Sequence, residues 1–145
     1  MLRRKTATYA LLALYEIAEQ SQDGHSSSGI RAGDIALKHN LPKAYAAKIL
    51  SQLASVGILH SDRGPRGGFR LNRRPETITL FDVFDGVGAI VSFEQNDEVL
   101  RSIPPAVQLT MSRITEDAHA RLRDLFSQMT LADLLTQQPV ALASH

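Results

Sequence analysis

The tripeptide Asn40-Leu41-Pro42 splits the segment GDIALKHNLPKAYAAKILSQLASVG into two short amphipathic helices that cannot run on as one. Asparagine tolerates the left-handed backbone of a sharp turn, and proline suits a helix's first turn but not its interior. The second helix is read from Lys43 to Ser55, with Ala46, Ile49, Leu50, Leu53 and Val56 on its apolar face and Gly57 as its stop. Lys43, Ala44, Tyr45, Lys48, Ser51 and Ser55 lie opposite. Next, Ile58, Leu59 and His60 to Asp62 read as a short strand, RGPRGG as a turn, and Phe69 to Asn72 as a returning strand. A helix-turn-helix followed by a hairpin predicts a winged helix.

Flanking segments complete the expected architecture. A helix capped by Thr6 carries the stripe Ala7, Ala10, Leu11, Leu14, Ile17 and Ala18, leaving Arg3, Arg4 and Lys5 ahead of it. The run QSQDGHSSSG that follows reads as a surface loop. Thr79, with Asp82 three residues on, caps a further helix bearing Leu80, Val83, Phe84 and Val87. Val107, Met111, Ile114, Ala118, Leu122, Leu125 and Met129 recur by threes and fours, the spacing of a helix that seeks a partner. The fold class is therefore mainly α with a small β-hairpin wing, a winged helix-turn-helix followed by a long C-terminal dimerisation helix. The expected division is a winged helix-turn-helix domain over residues 1–88, an irregular connection over 89–106, the dimerisation helix with a short final helix from Thr130 to Leu135 over 107–136, and a frayed tail over 137–145.

Charge singles out one half of the chain. Although the net charge is +1, residues 1 to 74 hold 12 Lys or Arg against 5 Asp or Glu, a balance of +7, while residues 75 to 145 hold 4 against 10, a balance of −6. The basic half is the one suited to phosphates. Within it the helix face of Lys43, Ala44, Tyr45, Lys48 and Ser51 is narrow enough for a major groove, with the small Ala44 and Ala47 permitting close approach to thymine methyls. Arg63 and Arg66 bracket Gly64-Pro65 and precede Gly67-Gly68, which places two guanidinium groups on a slim tip fit for a minor groove or a phosphate.

Other chemistry lacks its residues. A nucleotide-cradling loop needs Lys-Ser or Lys-Thr after the glycines, which is missing here. The chain has no cysteine, so thiolate zinc sites, disulfides and cysteine-held iron-sulfur clusters are excluded. His25, His39, His60, His119 and His145 show no ligand spacing and read as surface or loop residues, so no metal or cofactor is expected. No nucleophile elbow or paired-carboxylate arrangement points to an enzyme. No run of about 18 uncharged apolar residues occurs, so a cytoplasmic protein without a membrane partner is expected.

YALLALYEIAE, DIA, LPKAYAAKIL, LASVGILHSDRGPRGGFRL, RRPETITLFDVF and the closing TLADLL together resemble the Rrf2 family of bacterial winged helix-turn-helix regulators, most densely in the RGPRGGF wing. The resemblance spans about residues 1 to 88 and implies a homodimer that reads a palindromic operator in double-stranded DNA. By motif match, Tyr45 and Lys48 would face the major groove and Arg63 the minor groove. Many members hold an iron-sulfur cluster on three cysteines before the dimer helix; GAIVSFEQNDEVLRSIPPA has neither cysteine nor histidine there. Ala46-Ala47 also stands where members often carry Leu-Glu, removing a carboxylate able to accept from cytosine.

The expected function is a cluster-free transcriptional regulator, more often a repressor, binding DNA as a homodimer. Two other readings stand beside it, the first from another class and the second compatible with it. One is a winged-helix protein-interaction module with weak intrinsic DNA binding, which a shallow salt dependence would favour. The other is a sensor whose small-molecule effector sits against Val91 and Phe93.

Overall fold

Alanine and leucine at three- and four-residue spacing carry the first helix, α1 (Arg4–Gln22), which buries Ala7, Ala10, Leu14, Ile17 and Ala18 along one face. The computed structural model describes residues 2–22, 29–64, 67–91 and 102–136. α1 begins at Arg4 rather than being capped by Thr6, so Arg4 and Lys5 belong to its first turn. Its start is held instead by pairing of the chain ahead of it: Leu2 bridges Ile90, and the Arg3 amide donates to the Ala89 carbonyl at 2.7 Å.

The turn expected at Asn40 is present. α2 (Ala32–His39) ends where Asn40 adopts the left-handed conformation at φ 53°, and the Leu41 amide donates back to the Ala36 carbonyl at 2.8 Å. α3 (Lys43–Ser55) follows directly. It closes with Gly57 at φ 80°, while the Gly57 and Ile58 amides donate to the carbonyls of Ala54 and Leu53. Those two bonds satisfy the helix's last carbonyls and deliver Ile58, fully buried, into the core.

β1 (Leu59–Asp62) pairs antiparallel with β2 (Gly68–Leu71), so the returning strand starts one residue before the expected Phe69 and ends before Asn72. The hairpin has a third participant that the period-two pattern did not reveal. Ile30 exchanges both backbone hydrogen bonds with Phe69, at 3.0 and 2.7 Å. This close approach needs glycine: a Cβ on Gly68, itself at φ 141°, would lie 2.7 Å from backbone atoms of Gly29 and Ile30.

After a 3-10 turn at Pro75–Thr77 comes α4 (Leu80–Gly86), whose Thr79 and Asp82 form the expected reciprocal cap at 3.0 and 3.3 Å. α5 (Pro105–Ser127) starts two residues before the expected Val107, with Pro105 in the first turn where its missing amide hydrogen costs nothing. α6 (Leu131–Leu135) repeats the reciprocal cap with Thr130 and Asp133.

The sequence grouped α6 with the dimerisation helix, but it returns to the winged domain. Thr79 and Thr130 form a bridge; the Leu80 amide donates to the Met129 carbonyl and the Leu131 amide to the Ile78 carbonyl. Leu131 and Ile78 are fully buried together with Leu14, Ile17, Leu50, Leu53, Ile58 and Val83. The core of the N-terminal domain is thus closed by residues from the far end of the chain.

Candidate nucleic-acid interface

α3 is anchored by Ala46, Ile49, Leu50 and Leu53, all buried, and this fixes which side remains outside. Lys43, Ala44, Lys48, Ser51 and Ser55 are exposed and Ala47 is half-buried. Tyr45 departs from the expected outward position. It is half-buried, its ring edge-on to Tyr9 at 5.5 Å between centroids, and its hydroxyl shares a 2.8 Å hydrogen bond with Thr6 Oγ1. The Lys5 ammonium lies 5.8 Å from the centre of the Tyr9 ring, so the first turns of α1 and α3 meet in one polar, basic surface. Periodicity within either helix could not reveal this pairing, because Thr6 and Tyr45 are 39 residues apart.

The hairpin places His60, Asp62 and Arg70 on one face, since His60 pairs with Arg70 and Asp62 lies two residues along. Asp62 accepts from Arg70 Nη2 at 2.6 Å and lies 3.1 Å from His60 Nε2. Arg63 is exposed beyond the end of β1. Gly67 is buried, not presented to solvent; its amide donates to the Gly64 carbonyl at 2.8 Å and a Cβ there would strike the Asp62 carbonyl oxygen at 2.5 Å. It therefore shapes the tip. Arg66 lies outside the described residues, as do Phe93, His25 and His145.

The ion pairs refine the charge argument. Lys38, Arg70, Arg73 and Arg74 are matched to Glu16, Asp62, Asp82 and Glu76. Among the described residues Arg3, Arg4, Lys5, Lys43, Lys48 and Arg63 have no ion pair and are exposed, as are Arg113 and Arg123 on α5, the latter over the Phe81 ring. The first six lie at the entry to α1, on the outer face of α3 and on the wing. Unmatched cations here are the ones able to release counterions from a polyanion.

His39 is half-buried and is not a free surface residue. With Lys38 it reaches back to α1, where Glu16 is only 8% exposed: Lys38 Nζ lies 2.7 Å from Glu16 Oε2 and His39 Nε2 3.0 Å from Oε1. Burial by itself raises the Glu16 carboxyl, but the hydrogen bonds and charges of Lys38 and His39 outweigh it and hold the group below its ordinary value.

Along α5, Val107, Met111, Ile114, Ala118 and Leu125 are exposed, and Leu109, outside the expected seam, joins them. Leu122 differs: it is half-buried against the chain's own core, next to Phe126, whose ring meets Phe84 edge-on at 4.9 Å. The end of α5 is thus packed on the winged domain and its earlier turns are bare.

This arrangement has counterparts among known proteins. The Rrf2 family, described as an iron-dependent transcriptional regulator, matches residues 3–137. The chain belongs to the Rrf2 family. A helix-turn-helix-type transcriptional regulator assigned in Aquifex aeolicus is 32% identical over 94 residues, a match covering 65% of this chain and 62% of that relative, less than two thirds of its length. The regulator IscR of Yersinia enterocolitica is 27% identical, covering 91% of this chain and 77% of the relative. In structure, the global cysteine regulator CymR of B. subtilis superposes with a TM-score of 0.63 at 25% identity, over 92% of this chain and 95% of that one. The protein is accordingly a DNA-binding transcriptional regulator of the winged-helix type. Iron in the family's description requires donors. This Rrf2 chain has no cysteine, and no three of His, Asp and Glu gather to hold a metal ion among the described residues. A thiolate-held iron centre does not fit these residues. Among the described residues no helix is long and apolar enough to cross a membrane.

Proposed function

We propose that this Rrf2 chain is a cytoplasmic homodimeric repressor that reads a palindromic operator without a cluster, each α3 entering a major groove and each wing the adjacent minor groove. The observation that carries this reading is the unmatched basic surface formed by Lys43 and Lys48 on α3, Arg4 and Lys5 on α1 and Arg63 on the wing. Lys43, Ala44, Tyr45, Lys48 and Ser51 supply the groove contacts and positioning. Arg63, beside the turn that Gly67 shapes, supplies the wing contact together with Arg66. Val107, Met111, Ile114, Ala118 and Leu125 form the seam with a second copy, which sets half-sites about one helical turn apart, roughly 34 to 36 Å. Leu122, at the seam's end, contributes mainly by joining α5 to its own domain. The −6 balance of the C-terminal half supports this polarity, since it keeps the dimerisation region away from phosphates.

Selection of a duplex from a random library, followed by fluorescence anisotropy across a salt series, tests the proposal. The selected site is expected to bind about a thousandfold more tightly than its scrambled control. Lys48→Ala combined with Arg63→Ala should weaken binding and flatten the salt slope by up to about two units. Undiminished operator binding by this folded double variant would show that the surface is wrongly assigned.

A further inference from the structure

We propose that Thr6 is a positioning residue for DNA recognition, one that fixes the start of α3 through the Tyr45 hydroxyl; the role rests on the DNA-binding reading above. The first turn of a recognition helix carries base-contacting side chains, so its placement decides specificity. In this chain that turn lacks a cap of its own: residue 42 is Pro42, and no side-chain hydrogen bond closes the helix start. Only the backbone bonds from the Tyr45 and Ala46 amides to the Pro42 carbonyl hold it locally, at 3.1 and 3.0 Å.

The missing restraint comes from α1. Tyr45 is gripped at two points, its ring by the edge-on Tyr9 ring and its hydroxyl by Thr6 Oγ1 at 2.8 Å. A single ring contact leaves a phenol free to rock; a second contact at the far end of the ring removes that freedom. Lys43 and Ala44 immediately precede Tyr45, and Lys48 follows one turn later, so the grip sets the pose of the whole exposed face. α1 is itself anchored by six buried alanine and aliphatic positions, which makes it a firm reference. The pairing also gives Thr6 a use for its hydroxyl that helix capping does not.

The experiment measures affinity for the selected duplex and for its scrambled control in wild type, Thr6→Val, Thr6→Ser, Tyr45→Phe and the Thr6→Val/Tyr45→Phe double variant. Valine matches threonine in shape but cannot hydrogen-bond, while phenylalanine keeps the ring packing. Loss of one hydrogen bond that places the helix is expected to cost roughly three- to tenfold in affinity for the selected site. Because no charge is removed and Thr6 itself is not assigned a contact with DNA, Thr6→Val should leave binding to the scrambled duplex and the salt slope unchanged. Thr6→Ser should restore binding, and the double variant should lose no more than either single change.

Several outcomes would overturn the role. Wild-type affinity in Thr6→Val or in Tyr45→Phe would do so, as would equal losses on both duplexes. Additive losses in the double variant would mean that the Tyr45 hydroxyl acts on DNA independently of Thr6. If Thr6→Val does not fold, Thr6→Ala takes its place in the single and double variants, because the Tyr45→Phe change by itself removes the Thr6 contact and any direct contact of the hydroxyl with DNA together. Failure of wild type to enrich any duplex would overturn the DNA-reading proposal and the role together, whereas enrichment unaffected by these changes overturns the role only.

Discussion

Glu16 is a carboxylate placed where a helix would otherwise bury a hydrocarbon, and Lys38 and His39 are what make that tolerable. The three residues tie α1 to the end of α2. Removing the charge while keeping the shape, Glu16→Gln, is expected to destabilise the fold by about 1–3 kcal/mol in chemical denaturation, because Lys38 and His39 lose a charged acceptor. The pH dependence has a definite sign. The folded-state carboxyl sits below its ordinary 4.5, so the folded chain binds this proton more weakly than the unfolded chain does. Its contribution is fully present above that ordinary value and is lost as pH falls through the lowered folded value. The stability gap between wild type and Glu16→Gln should therefore close on acidification below about 4.5, and a gap that widened there would contradict the assignment. The stripe of α1 was legible from its apolar spacing, but that pattern leaves Glu16 as a polar interruption. Its partners lie 22 and 23 residues away and become visible only once α2 packs against α1.

At the scale of elements, local chemistry was read well wherever hydrogen bonds close within a few residues. Thr79 with Asp82, Asn40 at the helix turn, and Gly57 after α3 all do so. It was read poorly where the partner is distant. Thr6 is a good capping residue by type, yet α1 starts at Arg4 because Arg3 is pinned to Ala89. The starts of α4 and α6 show how the two kinds of interaction combine, since Thr79 and Thr130 cap their own helices and also bridge each other. Replacement of Thr79 by Ala is expected to cost about 1 kcal/mol as a lost cap, and Thr130→Ala a similar amount. Their effects should not add, because each change perturbs the shared bridge; a double-variant loss equal to the sum within about 0.3 kcal/mol would show the two caps to be independent.

The whole molecule is built around a helix of 23 residues, about 35 Å long, whose described part is packed against its own domain near its C-terminal end, at Leu122 and Phe126. Met111 is 54% and Ile114 57% exposed on its earlier turns, a continuous apolar face rather than isolated surface residues. If that face pairs with a second copy, Ile114→Asp must bury an unpaired carboxylate in the seam, which is expected to raise the dimer dissociation constant at least about a hundredfold. Sedimentation velocity at micromolar concentration should then show a monomer with unaltered helix content. A dimer of unchanged stability would place the interface elsewhere. The structure also divides the seam: Leu122 and Phe126 attach α5 to α4 and the winged core, so the orientation of the bare segment is set by the domain it must deliver to DNA.

By itself the sequence determined the elements, the helix-turn-helix, the hairpin and the absence of thiolate chemistry, because those follow from periods of two and 3.6, from turn residues and from the inventory of side chains. Tertiary structure decided that Ile30 pairs with Phe69, that α6 closes the N-terminal core, that Tyr45 turns inward to Thr6, and which cations stay unmatched. The physical reason is the same in each case. Spacing along the chain records which face of an element is apolar, but the partner of a particular hydroxyl, carboxylate or strand edge is chosen by packing between segments far apart in sequence.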